Sequence, residues 1–164
     1  MRVLGVDPGL QITGYAVLEG VGSQPRICEA GVIKSKEGRE SADMAPRLVS
    51  LYNSLVEVIE QFRPTIAAVE QLYAHYEHPR TAILMGHARG VIFLAAGKHD
   101  MRVVSYNATS IKKTITGSGR ASKEQVQRTI QRELGLQQIP EPPDVADALA
   151  IALCHFYLQR AAAS

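Results

Sequence analysis

The sequence predicts an α/β fold: a mixed five-stranded sheet that begins with three antiparallel meander strands and carries helices on both faces. The length of 164 residues favours one domain with enough chain for a proper core. Three strand-like segments open the chain with only short links between them. Helical and strand patterns then alternate, and a helix that crosses between two strands makes those strands parallel.

The first three strands are expected over residues 1–6, 13–19 and 26–34. The first strand is an apolar run that ends at the turn sequence Asp7-Pro8-Gly9. The second strand alternates its side chains between two faces, as a strand with a period of two does. The short Gly-rich link that follows it indicates a hairpin, so all three strands form an antiparallel meander.

A helix and a buried strand are expected next. Apolar residues recur at helical spacing from Leu48 to Phe62, Pro46 suits the start of that helix, and Arg63-Pro64 suits its end. The segment 65–70 is too apolar to alternate, which predicts a central strand covered on both faces.

The second half of the chain predicts one more strand and four helices. Two helix starts are marked by Asn107 as a cap and by Ser122 with Gln125 as a capping box. The expected elements are a helix over 80–96, a strand over 101–106, a short helix after Asn107, a helix from 122 to 135, and a helix over 144–159. This element order is that of the ribonuclease H-like fold, with residues 1–160 as a single nuclease domain and 161–164 as a short flexible tail.

Charge is unevenly distributed along the chain, although the net charge is only +2. Between residues 102 and 132 seven Lys or Arg side chains face a single acid, Glu124. Such a stretch suits a polyanion such as nucleic acid, and a solvated helix surface is its ordinary alternative.

Two distant cysteines fit a reducing compartment, no secretory signal or membrane-spanning segment is expected, and the predicted location is cytoplasmic.

Four acids stand where predicted elements end or begin. Asp7 and Glu70 each follow an apolar strand, whereas Asp144 and Asp147 open the last apolar helix and share one of its faces. If these ends converge, the carboxylates repel one another unless divalent cations lie between them. Oxygen donors without a Cys or His set favour Mg²⁺, with Mn²⁺ as a substitute, and phosphodiester cleavage with two ions per active site.

Each acid also has an ordinary structural explanation. Asp7 before Pro-Gly suits a turn, and Glu70 suits a solvent-facing strand end. Asp144 and Asp147 suit the N-terminus of a helix, where the helix dipole stabilises negative charge. These explanations would all have to hold together, and none explains why the ends of several elements supply matching acids.

Several motifs give the chain a resemblance to the bacterial RuvC Holliday-junction resolvases, over essentially its whole length and in order. They are Gly-Val-Asp-Pro-Gly at 5–9, Thr-Gly-Tyr at 13–15, Val-Glu-Gln at 69–71, Ala-Arg-Gly-Val at 88–91, and the Asp-x-x-Asp-Ala-Leu-Ala-Ile-Ala helix at 144–152. The resemblance implies a homodimeric endonuclease that nicks four-way junction DNA at symmetric positions during homologous recombination and DNA repair. It also implies the branch-migration proteins RuvA and RuvB as partners.

The resemblance further implies roles for single residues. Asp7, Glu70, Asp144 and Asp147 would be catalytic and would bind metal. Tyr73 would stack at the junction centre, Lys112 and Lys123 would hold DNA, and helix 80–96 would make the dimer contact. The loop after Glu70 departs from the family pattern through His75, Tyr76 and His78, whose contacts stay open, as does the role of the buried-helix residue His155.

Two other functions remain compatible with the sequence. A ribonuclease H-like nuclease acting on RNA would share the sheet and the acids, and a non-catalytic module that binds branched DNA would share the basic surface. An actin-like ATPase needs two such domains, for which the chain is too short.

Overall fold

The computed structural model describes residues 1–9, 11–34, 43–72 and 78–164. Five strands form one sheet, and five helices cover it. In chain order the elements are β1 (Arg2–Asp7), β2 (Ile12–Val21), β3 (Gln24–Lys34), α1 (Met44–Phe62), β4 (Ile66–Glu70), α2 (Pro79–Lys98), β5 (Arg102–Tyr106), α3 (Ala108–Thr116), α4 (Lys123–Glu133) and α5 (Pro143–Ala163).

The sheet has the order β3-β2-β1-β4-β5, which confirms the predicted mixed sheet. The first three strands pair antiparallel, whereas β4 runs parallel to both β1 and β5. Val6 lies opposite Val69, so the carboxyl ends of β1 and β4 stand side by side at one edge of the sheet. The predicted crossover through α1 therefore brings the two acid-bearing strand ends together.

Two hydrophobic cores lie on opposite faces of the sheet. In β1, Val3 packs into the core under α3, α4 and α5, whereas Leu4 packs into the core under α1 and α2. In β4, Ala68 faces the first core, and Ala67 and Val69 face the second. The central strands are thus buried on both faces, as their apolar sequences predict.

Helix α5 lies unusually close to the sheet because glycines leave room for it. A β-carbon on Gly5 would overlap the carbonyl of Ala148, and one on Gly14 would overlap the carbonyl of Asp144. Glycine inside a strand is typical of such a close approach. These two contacts fix the height and position of the first turns of α5 above β1 and β2.

The helix caps follow the sequence, with two local corrections. Asn107 and the Ser122 capping box form as predicted. Helix α1 begins at Met44, two residues before Pro46, because the Asp43 side chain accepts a hydrogen bond from the Ala45 amide. Helix α5 continues through Ala163, so most of the tail predicted for 161–164 is helical, since alanine has the highest helix propensity.

Within the described ranges, no helix is both long and apolar enough to cross a membrane.

Candidate active site

The four predicted acids come from three elements that meet at one edge of the sheet. Asp7 is the last residue of β1, and Glu70 is the last residue of the neighbouring β4. Asp144 and Asp147 lie in the first turns of α5, which crosses β1 and β2. The negative charges of the other three acids each raise the pKa of Asp7, so all four acids lie in one cluster.

Burial and mutual repulsion hold this cluster partly protonated. The pKa of Asp7 rises to about 8, first because its carboxyl is buried and then because Asp147, Glu70 and Asp144 lie nearby. Burial is also the largest cause of the raised pKa of Glu70 and of Asp147. The Asp7 and Asp147 side chains share a hydrogen bond, which requires a proton on one of the two carboxyls and suits the group with the strongly raised pKa.

Two lysines oppose the negative charge from the side of α3 and α4. The ammonium of Lys123 lies 3.3 Å from Oδ2 of Asp147, and it lowers the pKa of Asp7, Glu70 and Asp147. Lys112 lowers the pKa of Glu70. Glu70, Asp147 and both lysines line one cleft, whose floor includes Ile111 and Ile151. The sequence-predicted lysines therefore lie beside the sequence-predicted acids.

A second cleft opens on the other side of Glu70, toward α2. It is lined by Asp7, Pro8, Glu70, Gln71, Leu72, Met85 and Arg89. The Arg89 guanidinium donates a hydrogen bond to the backbone carbonyl of Glu70. Its positive charge also lowers the pKa of the Glu70 side-chain carboxyl. The sequence pattern did not assign Arg89 a site role, although an arginine in the middle of a helix rich in apolar residues is a signal for one.

The acid cluster fits divalent cations by its donor chemistry. Its donors are carboxylate oxygens, which Mg²⁺ and Mn²⁺ prefer, and a cation would relieve the repulsion from Asp147, Glu70 and Asp144 that helps to raise the pKa of Asp7. Among the described residues, no three Asp, Glu, His or Cys side chains are already arranged as a ligand set for one ion. Binding would thus require deprotonation of Asp7 and adjustment of the side chains.

Asp144 does not cap α5. The cap is Pro142, which has no side-chain cap hydrogen bond, and the helix begins at Pro143. Asp144 is therefore an acid of the first turn: the capping explanation for it is not met, whereas stabilisation by the helix dipole still applies. Its carbonyl lies against Gly14, the strand partner of Asp7, which fixes its backbone within this cluster.

Of the remaining candidates, the structure describes only His78 and His155. Tyr73, His75 and Tyr76 lie outside the described residues. His78 is the cap residue of α2 and makes no side-chain cap hydrogen bond. His155 is fully buried, and its Nδ1 lies 2.6 Å from the hydroxyl of Tyr106.

The chain is similar to known proteins over nearly its whole length. The family model "Crossover junction endodeoxyribonuclease RuvC" matches residues 3–155. A curated protein of that description from Rhodopirellula baltica is 52% identical over 158 residues, which are 95% of this chain and 86% of that protein.

Solved structures agree over nearly the whole chain. The structure of Thermus thermophilus RuvC has a TM-score of 0.87 and 34% sequence identity, covering 99% of this chain and 97% of that one. The structure of T. thermophilus RuvC in complex with a Holliday junction substrate has a TM-score of 0.87 and 31% identity, covering 98% and 96%. With sequence motifs, sheet order and these relatives in agreement, the chain belongs to the RuvC family of crossover junction endodeoxyribonucleases.

Proposed function

We propose that this protein is a metal-dependent endonuclease that resolves four-way DNA junctions by paired symmetric nicks, in homologous recombination and DNA repair. The observation that carries the proposal is the cluster of four acids from β1, β4 and α5 next to two lysines. Family membership supports the choice of substrate, since a T. thermophilus relative was solved with a Holliday junction substrate.

The acids account for the chemistry. Asp7, Glu70, Asp144 and Asp147 would hold two divalent cations, Mg²⁺ or Mn²⁺, which supply an activated water and stabilise the charge of the leaving oxygen. Asp7 gives up its proton when the site is loaded, because a carboxylate binds a cation only in its charged form.

The lysines account for how the scissile strand is held. Lys112 and Lys123 line the cleft with Glu70 and Asp147, so a phosphate that enters it meets both ammonium groups. Contacts of this kind position the backbone without reading its sequence. The stacking role of Tyr73 at the junction centre remains a prediction from the family resemblance.

The outer face of α2 supports a homodimer. Ile83, Phe93 and Leu94 are exposed there, at 63%, 38% and 57%. Gly86, Gly90 and Gly97 have open space where a β-carbon would stand, which lets a second helix approach closely. A two-fold dimer matches a substrate with two equivalent strands to be cut.

Two observations support a cytoplasmic location for this activity: the family relatives and the free cysteine side chains. Cys28 and Cys154 are both free, which fits action in the reducing cytoplasm. Branch-migration proteins RuvA and RuvB are the partners that a junction resolvase of this family would meet.

A direct test compares three labelled substrates: a synthetic four-way junction, its matched linear duplex and an RNA–DNA hybrid. We expect paired nicks in the junction with Mg²⁺ or Mn²⁺, no cleavage after chelation, and no cleavage by Asp7→Asn. Preferential cleavage of the hybrid would favour an RNA-directed nuclease. Junction binding without cleavage under every metal condition would favour a non-catalytic module.

A further inference from the structure

Arg89 connects two regions that the proposed function treats separately, the acid cluster and the outer face of α2. Its guanidinium donates to the carbonyl of Glu70 on one side. On the other side its central carbon lies 5.0 Å from the centre of the Phe93 ring. Phe93 is 38% exposed on the same face of α2 as Leu94. A continuous path of contacts therefore runs from that face to a candidate metal ligand.

We infer that Arg89 is a positioning residue, which fixes the carboxyl end of β4 and links its geometry to the covering of Phe93 by a second copy of the chain. This inference rests on the proposed function, because it concerns the same acids and the same dimer.

Among the described residues, β4 pairs with β1 as far as Val69 and with β5 as far as Glu70. Its last backbone contact to β5 is the hydrogen bond of 2.8 Å from the Gln71 amide to the Tyr106 carbonyl. Glu70 lines two clefts, so open space lies next to it in both of them. The planar guanidinium can donate to a carbonyl and stack on an aromatic ring at once, which a lysine cannot do.

A second copy would stiffen this arrangement. The Phe93 ring is 38% exposed, and contact across a dimer would restrict its remaining rotamer freedom. A fixed ring restricts Arg89, and a fixed Arg89 restricts the backbone of Glu70. Because a displacement of about 1 Å can cost roughly a hundredfold in rate, small changes in this path are expected to reach the chemistry.

The experiment uses four variants of the full chain: Arg89→Gln, Arg89→Lys, Phe93→Leu and, as a control, Val49→Ala. Val49 is an exposed apolar residue on α1, away from the path and from the outer face of α2. Single-turnover nicking of a four-way junction is measured with the enzyme in saturating excess over the junction. Sedimentation confirms that each variant is dimeric at the concentration used. Junction affinity is measured in Ca²⁺, and thermal melting confirms that each variant folds.

We expect Arg89→Gln to slow nicking by about tenfold or more while junction affinity stays within about threefold. Phe93→Leu should slow it less, Val49→Ala should leave it near wild type, and Arg89→Lys should recover part of the rate. Nicking by Arg89→Gln within about twofold of wild type would overturn the inference, as would equal losses in Phe93→Leu and Val49→Ala. If Arg89→Gln does not fold, the rate of Arg89→Lys decides, and a wild-type rate rejects the positioning role.

A second measurement does not depend on cleavage. Hydrogen exchange of the Gln71 amide in the metal-free protein reports how firmly the end of β4 is held. Arg89→Gln should raise this exchange about tenfold, with the buried Val6 amide unchanged. Unchanged exchange at Gln71 would reject the inference. Absence of junction cleavage by the wild type would instead reject the proposed function, so the two failures are distinguishable.

Discussion

The backbone of Gly14 lies directly against the carbonyl of Asp144, with no room for a β-carbon between them. Gly14 is also the strand partner of Asp7 across the β1–β2 pair. One glycine thus sets the spacing between two of the acids, from the sheet on one side and from α5 on the other. The site depends on this packing as much as on the acids themselves.

Gly14→Ala is therefore expected to destabilise the protein and to impair nicking. The added methyl group must displace the backbone of α5, and overpacking of this kind typically costs about 1–3 kcal/mol. The measurements are the free energy of unfolding in denaturant and the nicking rate of the folded variant. Asn53→Ala is the control, since that side chain is exposed on α1. Equal stability of the two variants would contradict the role of Gly14.

The convergence of Asp7 and Glu70 could be predicted from sequence, because both end apolar strands and a crossover helix makes those strands parallel neighbours. The closeness of α5 could not be predicted. It depends on which glycines face which carbonyls, and a one-dimensional pattern does not specify that register. Arg89 was missed for the same reason, since its partner is a main-chain carbonyl distant in sequence.

Asp7→Asn is expected to abolish nicking and to leave junction binding intact. The change keeps the size of the side chain but removes the charge that would hold a cation. Loss of a group that only supports a metal ligand costs about 10–100-fold, so loss of a ligand should cost at least about a hundredfold. Gel-shift titration in Ca²⁺ and nicking in Mg²⁺ check the two properties separately. Near-normal nicking by this variant would remove the basis of the metal site.

The metal-free protein should lose stability as pH rises from about 4 to about 8. The pKa of Asp7 is about 8 in the folded state and near 3.8 when unfolded. In this window the folded protein keeps a proton that the unfolded chain releases, so a rise in pH favours unfolding. The raised pKa values of Glu70 and Asp147 act in the same direction.

Chemical denaturation over this pH range in the presence of a chelator measures the effect. Asp7→Asn should flatten the dependence, whereas Glu124→Gln, which alters an exposed acid paired with Arg128, should not. The buried His155, whose pKa is lowered, acts in the opposite direction below its unfolded pKa, so the comparison between variants decides. The same pH dependence in the wild type and in Asp7→Asn would show that the acids are not mutually buried.

Lys112→Ala and Lys123→Ala should each reduce the salt dependence of junction binding. Each phosphate contact releases counterions and contributes about 0.9 to the log–log slope, so one lost contact lowers the slope by about one. Binding titrations over a salt series give that slope. Lys98→Ala, at the far end of α2, is the control and should leave it unchanged. A change in the position of the nick would show that these lysines read sequence rather than hold the backbone.

Leu94→Glu should convert the protein to a monomer at micromolar concentration. Leu94 is 57% exposed on the outer face of α2, beside glycines that allow a second helix to approach, and a buried charge there would lack a partner. A central contact of this kind is worth about 2 kcal/mol or more, so the dimer dissociation constant should rise at least about thirtyfold. Sedimentation with and without junction DNA measures it. Val49→Glu is a matched control, because Val49 is equally exposed, at 57%, but lies on α1. If Leu94→Glu stays dimeric, the dimer contact lies elsewhere on the protein. If the wild type stays monomeric even on junction DNA, the proposed dimer does not form.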